Sequence, residues 1–286
     1  MSVRSGELAS GGSVLSRMAS ELPRGEYFGW LFILGCVNGL TSRIIQSVDR
    51  LGWAGAFFNT FEISLIIWIS CIAGIIFIVR DRTTGLSSLE LCLGAGFVVL
   101  VFLPIGPLSW LAVTGLSLYL LVCTDVATCR RGASILLATT VPMLWSRMLF
   151  RFFANLILGA DAALVSWFLG TERSGTIVEF ADRSGDLVIL PACSSLANVS
   201  LAFLCWIAHS QLVCHKKSVY DFFWCLLACG AVIAVNVTRM AISGLSQWHY
   251  ATFHGPWGDA LTNITILGLI VGISALGVRR ELFGRA

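Results

Sequence analysis

Long apolar runs separated by short polar breaks set the pattern of this chain. A polar, Ser/Gly-rich stretch fills the first 25 residues. Apolar segments then follow at about 27–42, 61–79, 88–104, 107–124, 133–150, 192–214, 219–245 and 258–278. Each approaches the ~20 residues that carry a helix across the hydrocarbon core, the first and third being short or interrupted. Pro104 and Pro107, in "FLPIGPLSW", mark a tight turn between two of them. The pattern predicts an all-α membrane protein with a bundle of about eight transmembrane helices. Residues 1–25 read as a flexible cytoplasmic tail without the apolar core of a signal peptide, and 26–286 as a single transmembrane domain.

The longest break, about 151–191, carries structure of its own. "NLILGADAALVSWFLG" is apolar with sparse polar residues and predicts a helix lying in the membrane interface. "GTIVEFADRSGDLVIL" then shows two β-rich runs around "DRSG", the signal of a short β-hairpin. That hairpin delivers the chain to "PACSSL". No internal repeat supports a transporter built from duplicated halves.

Composition agrees with a membrane class. Hydrophobic residues make up 57% of the 286 positions and charged residues 12%, with mean hydropathy +0.84. A soluble domain carries about 25% charged residues. The net charge of +3 says less than its distribution. Twelve of the nineteen Lys and Arg residues follow every second span or lie near the termini: Arg4, Arg17, Arg24, Arg80, Arg82, Arg130, Arg131, Lys216, Lys217, Arg279, Arg280 and Arg285. By the positive-inside rule that side is cytoplasmic, with both termini inside a multi-pass protein of the cell membrane. Most of the ten cysteines lie in apolar stretches and read as small packing residues. No Cys/His spacing suits zinc, so no metal is expected, and neither a cofactor nor a nucleic-acid partner is called for.

Reactive groups converge at one depth. At 1.5 Å per residue, Cys193 stands roughly 35 Å above Lys216, at the outer end of its span. Arg239 stands roughly 27 Å above Asp221 in the next span. His254 occupies the outer loop "SQWHYATFHGPWGDALTN". Each residue has a plain alternative: Arg239 can snorkel to headgroups, His254 can be a surface residue, and Cys193 can be packing. Together they suit acyl transfer. A cysteine at a helix start beside a cation is activated as thiolate, and an arginine can stabilise an oxyanion. A histidine can serve as general acid and base. Asn236, three residues before Arg239, shares its helix face and is placed to orient the guanidinium. His249 rivals His254, whereas His209 and His215 fall toward the opposite end of their span.

"PACSSL", "NVTRMAI" and "HGPWG" resemble the three short motifs of the exosortase/archaeosortase family: its cysteine, its Asn-x-x-Arg and its His-x-x-x-Gly. The motif-bearing resemblance covers about 134–275. It implies Cys193 as nucleophile, Arg239 as its stabilising partner and His254 as acid/base, with Ser194, Ser195, Asn236 and Gly258 in support. It further implies a membrane-embedded cysteine protease and transpeptidase whose site lies at the outer face of the bilayer. The partners would be exported, membrane-anchored proteins with a C-terminal sorting signal, cleaved through a thioacyl intermediate and passed to an amine-bearing acceptor. Ser195 departs from the pattern, standing where a glycine commonly follows Cys-Ser, and an added hydroxymethyl there bears on pocket width and backbone angles. Two rivals remain at this stage. One is a Ser/His intramembrane protease built on Ser243; the other is a non-enzymatic transporter, channel or assembly scaffold in which Arg239 binds an anion or headgroup.

Overall fold

A computed structural model of the protein describes residues 22–279 apart from Thr84, Pro104 and Lys217; the side chains of Ala192 and Pro256 are likewise left aside. Most of the predicted tail, half of the Pro104/Pro107 turn, and Arg4, Arg17, Lys217, Arg280 and Arg285 lie outside the described residues. Helices cover all eight apolar segments. Five are long and apolar enough to cross a membrane: Arg24–Phe58, Gly106–Cys123, Ala127–Leu169, Tyr220–Ser243 and Trp257–Gly277. Leu65–Val79, Ser88–Phe102 and Leu196–Leu212 are apolar but shorter. The outward faces of these eight helices carry large, mainly apolar side chains such as Trp30, Phe58, Phe102, Val122, Phe152 and Ile264, all largely exposed. Apolar exposure on that scale is a surface made for lipid.

The chain divides into two compact units, one ending at Thr140 and the other beginning at Val141. The first holds α1 (Arg24–Phe58), α2 (Leu65–Val79), α3 (Ser88–Phe102), α4 (Gly106–Cys123) and α5 (Ala127–Thr140). Helix α1 outruns the apolar segment 27–42 by more than four turns and breaks at Gly52, where φ is +68°. Hydropathy falls after Leu40 because Arg43, Gln46, Asp49 and Arg50 enter the sequence. Backbone hydrogen bonding does not require apolar side chains, so the helix continues. Gly74 and Gly132 let α2 and α5 approach closely: a Cβ on Gly132 would meet the Gly74 carbonyl oxygen at 2.6 Å. The starts of α1 and α3 meet the ends of α2 and α4 in a polar knot. There Arg24 donates to Glu90 (2.6 Å) and to Thr124 (3.0 Å). Glu90 also closes a capping box with Ser87. Arg82 pairs with Glu26 at the same end, which gathers several of the basic residues counted above.

The second unit holds α6 (Ser146–Leu169), three short strands, α7 (Leu196–Leu212), α8 (Tyr220–Ser243), α9 (Gln247–Phe253) and α10 (Pro256–Gly277). The segment expected as a separate interfacial helix is the continuation of α6. It bends at Phe153 and ends at Gly170 in the left-handed conformation. Leu158, Asp161, Ala162 and Val165 share its buried face. The hairpin forms with β2 (Ile177–Glu179) and β3 (Asp186–Val188) in the register Ile177↔Val188, Val178↔Leu187 and Glu179↔Asp186. A further strand, β1 (Arg173–Ser174), adds to β2 and makes the sheet three-stranded. Val178 and Leu187 join Phe180, Ile189, Val237 and Met240 in a core that α6 and α8 also line. The Ala181 N–H donates to the Gly244 carbonyl (2.9 Å), tying the hairpin to the end of α8. Its outgoing strand therefore has a fixed exit toward Pro191.

Candidate active site

Cys193 ends a 3-10 turn, Pro191–Cys193, that precedes α7 by two residues. Its N–H donates to the Leu190 carbonyl at 2.8 Å. Ser194 and Ser195 then close the start of α7. The Ser194 hydroxyl accepts the Leu196 N–H at 3.3 Å, and the Ser195 N–H donates to Asp161 Oδ2 at 3.1 Å. Donors that a helix start leaves without intrahelical partners are thus satisfied. The Ser195 hydroxyl donates to Asp161 Oδ1 at 2.9 Å. Its backbone is ordinary right-handed helix (φ −66°, ψ −22°), so no glycine is needed at this position.

Asn236 spends its amide on this loop. Its Nδ2 donates to the Cys193 carbonyl (2.8 Å) and to Ser195 Oγ (3.0 Å). It therefore does not orient Arg239, as its place three residues away suggested. The side chain is buried against the start of α7, while the guanidinium pairs with Asp259 on the first turn of α10.

Across from the cysteine, His254 Nε2 lies 3.8 Å from Cys193 Sγ. Residues 61 apart in sequence are brought together here by the corner between α9 and α10. Tyr250 stacks on the imidazole with ring centroids 4.2 Å apart, and the His254 N–H donates to the Tyr250 carbonyl. Burial, then the Arg239 charge, hold the His254 pKa below the ordinary histidine value, with Asp259 acting the other way. Among the described residues, His254 Nδ1 and Arg239 Nε are buried nitrogens without a hydrogen-bond partner. Arg239 thus stands beside His254 electrostatically. Among the described residues it forms no hydrogen bond to Cys193.

Gly258 completes the corner. A Cβ there would sit 2.3 Å from the Phe253 carbonyl oxygen, so α10 can begin where it does only over a bare Cα. The rival histidine, His249, is held through Nδ1 by the Ser246 hydroxyl that caps α9 (2.8 Å). Ser243 donates to the Arg239 carbonyl, with no histidine partner among the described residues. At the other end of α7, His209 meets Cys205, and His215 pairs with Asp221.

Two openings lie in this unit, lined in part by sequence neighbours of the pair, Leu190, Leu196 and Tyr250. An apolar groove of about 530 Å³ is lined by Trp145, Met148, Leu149, Phe152, Leu196 and Phe203. A smaller cleft of about 330 Å³ is lined by Ser184, Asp186, Leu190, Gln247 and Tyr250 under the hairpin. Exposed Trp167, Trp248 and Trp257 surround this end of the unit. Asp161 and Asp259 were missed by sequence reasoning. The first was signalled by its own rarity, a lone carboxylate inside an apolar helix.

The chain matches no protein-family model, no curated protein and no solved structure.

Proposed function

We propose that this protein is a membrane-embedded cysteine protease and transpeptidase of the exosortase/archaeosortase kind. The observation that carries the reading is the 3.8 Å approach of Cys193 Sγ to His254 Nε2. Two further features support it: the Arg239 charge beside that histidine and the resemblance of the three motifs. In this reading the Cys193 proton passes to His254 as the sulfur attacks a substrate peptide carbonyl. Arg239 stabilises the oxyanion. Collapse breaks the C–N bond, His254 returns the proton to the leaving amine, and a thioester on Cys193 remains. An amine acceptor, or water, then attacks the thioester with His254 as base and frees the thiol.

Orientation follows from charge and aromatic residues. Both termini face the cytoplasm and about eight spans cross the bilayer, with the site at the outer face of the cell membrane. The Trp ring at that end suits an interfacial level. The apolar groove beside Leu196 takes the membrane anchor of an exported protein, and the polar cleft under the hairpin takes the acceptor. The test compares the C-terminal peptides of membrane and surface proteins in cells carrying the wild-type chain or Cys193→Ala at equal abundance. A set of proteins shortened at their C-termini only with the wild type is the expected result. Identical C-termini in the two strains would refute proteolysis by Cys193 and leave the Ser243 protease, a transporter or a scaffold.

A further inference from the structure

Asp161 is costly where it stands. The side chain is 5% exposed, on the face of α6 shared by Leu158, Ala162 and Val165, and among the described residues no cation pairs with it. A carboxylate in such surroundings persists when its acceptors are filled. Both are filled by one residue, Ser195, through its N–H and its hydroxyl.

That arrangement fixes a polarity. A serine hydroxyl has one hydrogen, and Asp161 takes it. Ser195 Oγ can then only accept from Asn236, so the amide must turn its NH2 end toward the serine. The second hydrogen of the same NH2 group reaches the Cys193 carbonyl. With a hydroxyl free to donate, the amide could flip, and the Cys193 carbonyl would then face an oxygen instead of a donor. We propose that Asp161 is a positioning residue for the nucleophile, setting through Ser195 and Asn236 the backbone of Cys193 and thereby the Sγ–His254 contact. The inference rests on reading Cys193 and His254 as a working pair. It also gives Ser195 a role: the hydroxyl absent from the family's glycine is the middle link of the chain.

The test uses the full chain in detergent and follows iodoacetamide alkylation of Cys193 against pH, read on the Cys193 peptide by mass spectrometry, with thermal melting measured in parallel. Asp161→Asn keeps the shape but replaces one of the two acceptors that the serine needs with a donor. It should slow alkylation near neutrality by about tenfold or more, since small misplacements at a reacting pair are costly. It should also move the profile to that of His254→Ala. In a Ser195→Ala background the same change should add less than about twofold, because linked residues are not additive. Ser195→Ala alone carries the test if Asp161→Asn does not fold, and should shift the profile as far. A wild-type profile in Asp161→Asn, even with lowered melting, overturns the proposal, as does an equal shift in both backgrounds. If His254→Ala itself leaves the profile unchanged, the Cys–His reading fails instead.

Discussion

Replacing Gly258 by alanine adds one methyl group and should disable the site. The new Cβ would lie 2.3 Å from the Phe253 carbonyl oxygen and 2.7 Å from its carbonyl carbon and Cα. Ordinary contact begins at 3.4 Å, so the first turn of α10 and the end of α9 must separate by about 1 Å. All three obstructing atoms are backbone, and no rotamer change relieves them. His254 is the next residue after Phe253, so the displacement falls on the imidazole and its 3.8 Å approach to Cys193 Sγ. A misplacement of that size costs on the order of 100-fold in rate. Overpacking should destabilise the chain by ~1–3 kcal/mol.

Gly268→Ala is the control. It makes the same chemical change on the same helix, where an added Cβ meets nothing within 4 Å. That variant should keep full activity and gain at most ~1 kcal/mol from helix propensity. Both variants are assayed by Cys193 alkylation and C-terminal processing, with melting as the measure of fold. Wild-type processing by Gly258→Ala would refute the corner as the device that places His254. Equal losses in both variants would show a general intolerance of α10 to alanine.

Proton chemistry provides two more outcomes. His254 holds its proton less tightly than an ordinary histidine. The acid limb of activity should therefore fall below the usual ~6.5. Arg239→Gln should raise that limb and Asp259→Asn should lower it, read from pH–rate profiles; shifts in the same direction would refute the electrostatic account. The unfolded chain binds the His254 proton more readily. This contribution to stability is thus present above about pH 6.5 and is lost as pH falls from there toward the folded-state value. Among the histidines, His254→Ala should abolish processing and His249→Ala should preserve it, since Ser246 holds the His249 ring; loss only at His249 would reassign the acid/base. Arg239→Lys should be a poor substitute, lacking the planar fork.

Counting residues at a fixed helical rise puts Cys193 and Arg239 near the same ends of their spans without any structure. His254 joins them by its place in the loop before the last span. Contacts between helices follow a different logic. Position i+3 puts Asn236 on the same side of α8 as Arg239. It does not say that the start of α7 lies against that side and takes both amide hydrogens. Asp259 falls where the loop reading and the last apolar segment overlap, and the start of α10 at Pro256 makes it a first-turn residue that reaches Arg239. Arg147 and Arg151 interrupt the apolar pattern and suggest a boundary at 151, yet backbone bonding runs through them and α6 extends to Leu169. Two residues, Arg173 and Ser174, are too few for a period-2 signal, so β1 left no trace in the pattern.

The hydrogen bonds in this unit are distributed unevenly. Around the Cys193 loop, the Ser195 N–H and hydroxyl, both hydrogens of the Asn236 amide and the Leu196 N–H all have partners. In an apolar surround each such donor left alone would cost about 1–3 kcal/mol. A few ångströms away, His254 Nδ1 and Arg239 Nε are buried without partners among the described residues. Open polar atoms also occur elsewhere in this unit, at Thr171 Oγ1 and Ser274 Oγ, so what distinguishes this pair is its place beside the Cys193–His254 contact. Those nitrogens belong to the two residues that a reaction at Cys193 would ask to carry a proton and face an oxyanion. The polar groups that set the geometry of the Cys193 loop are closed, and the two open nitrogens beside it lie on the residues that the proposed reaction would use.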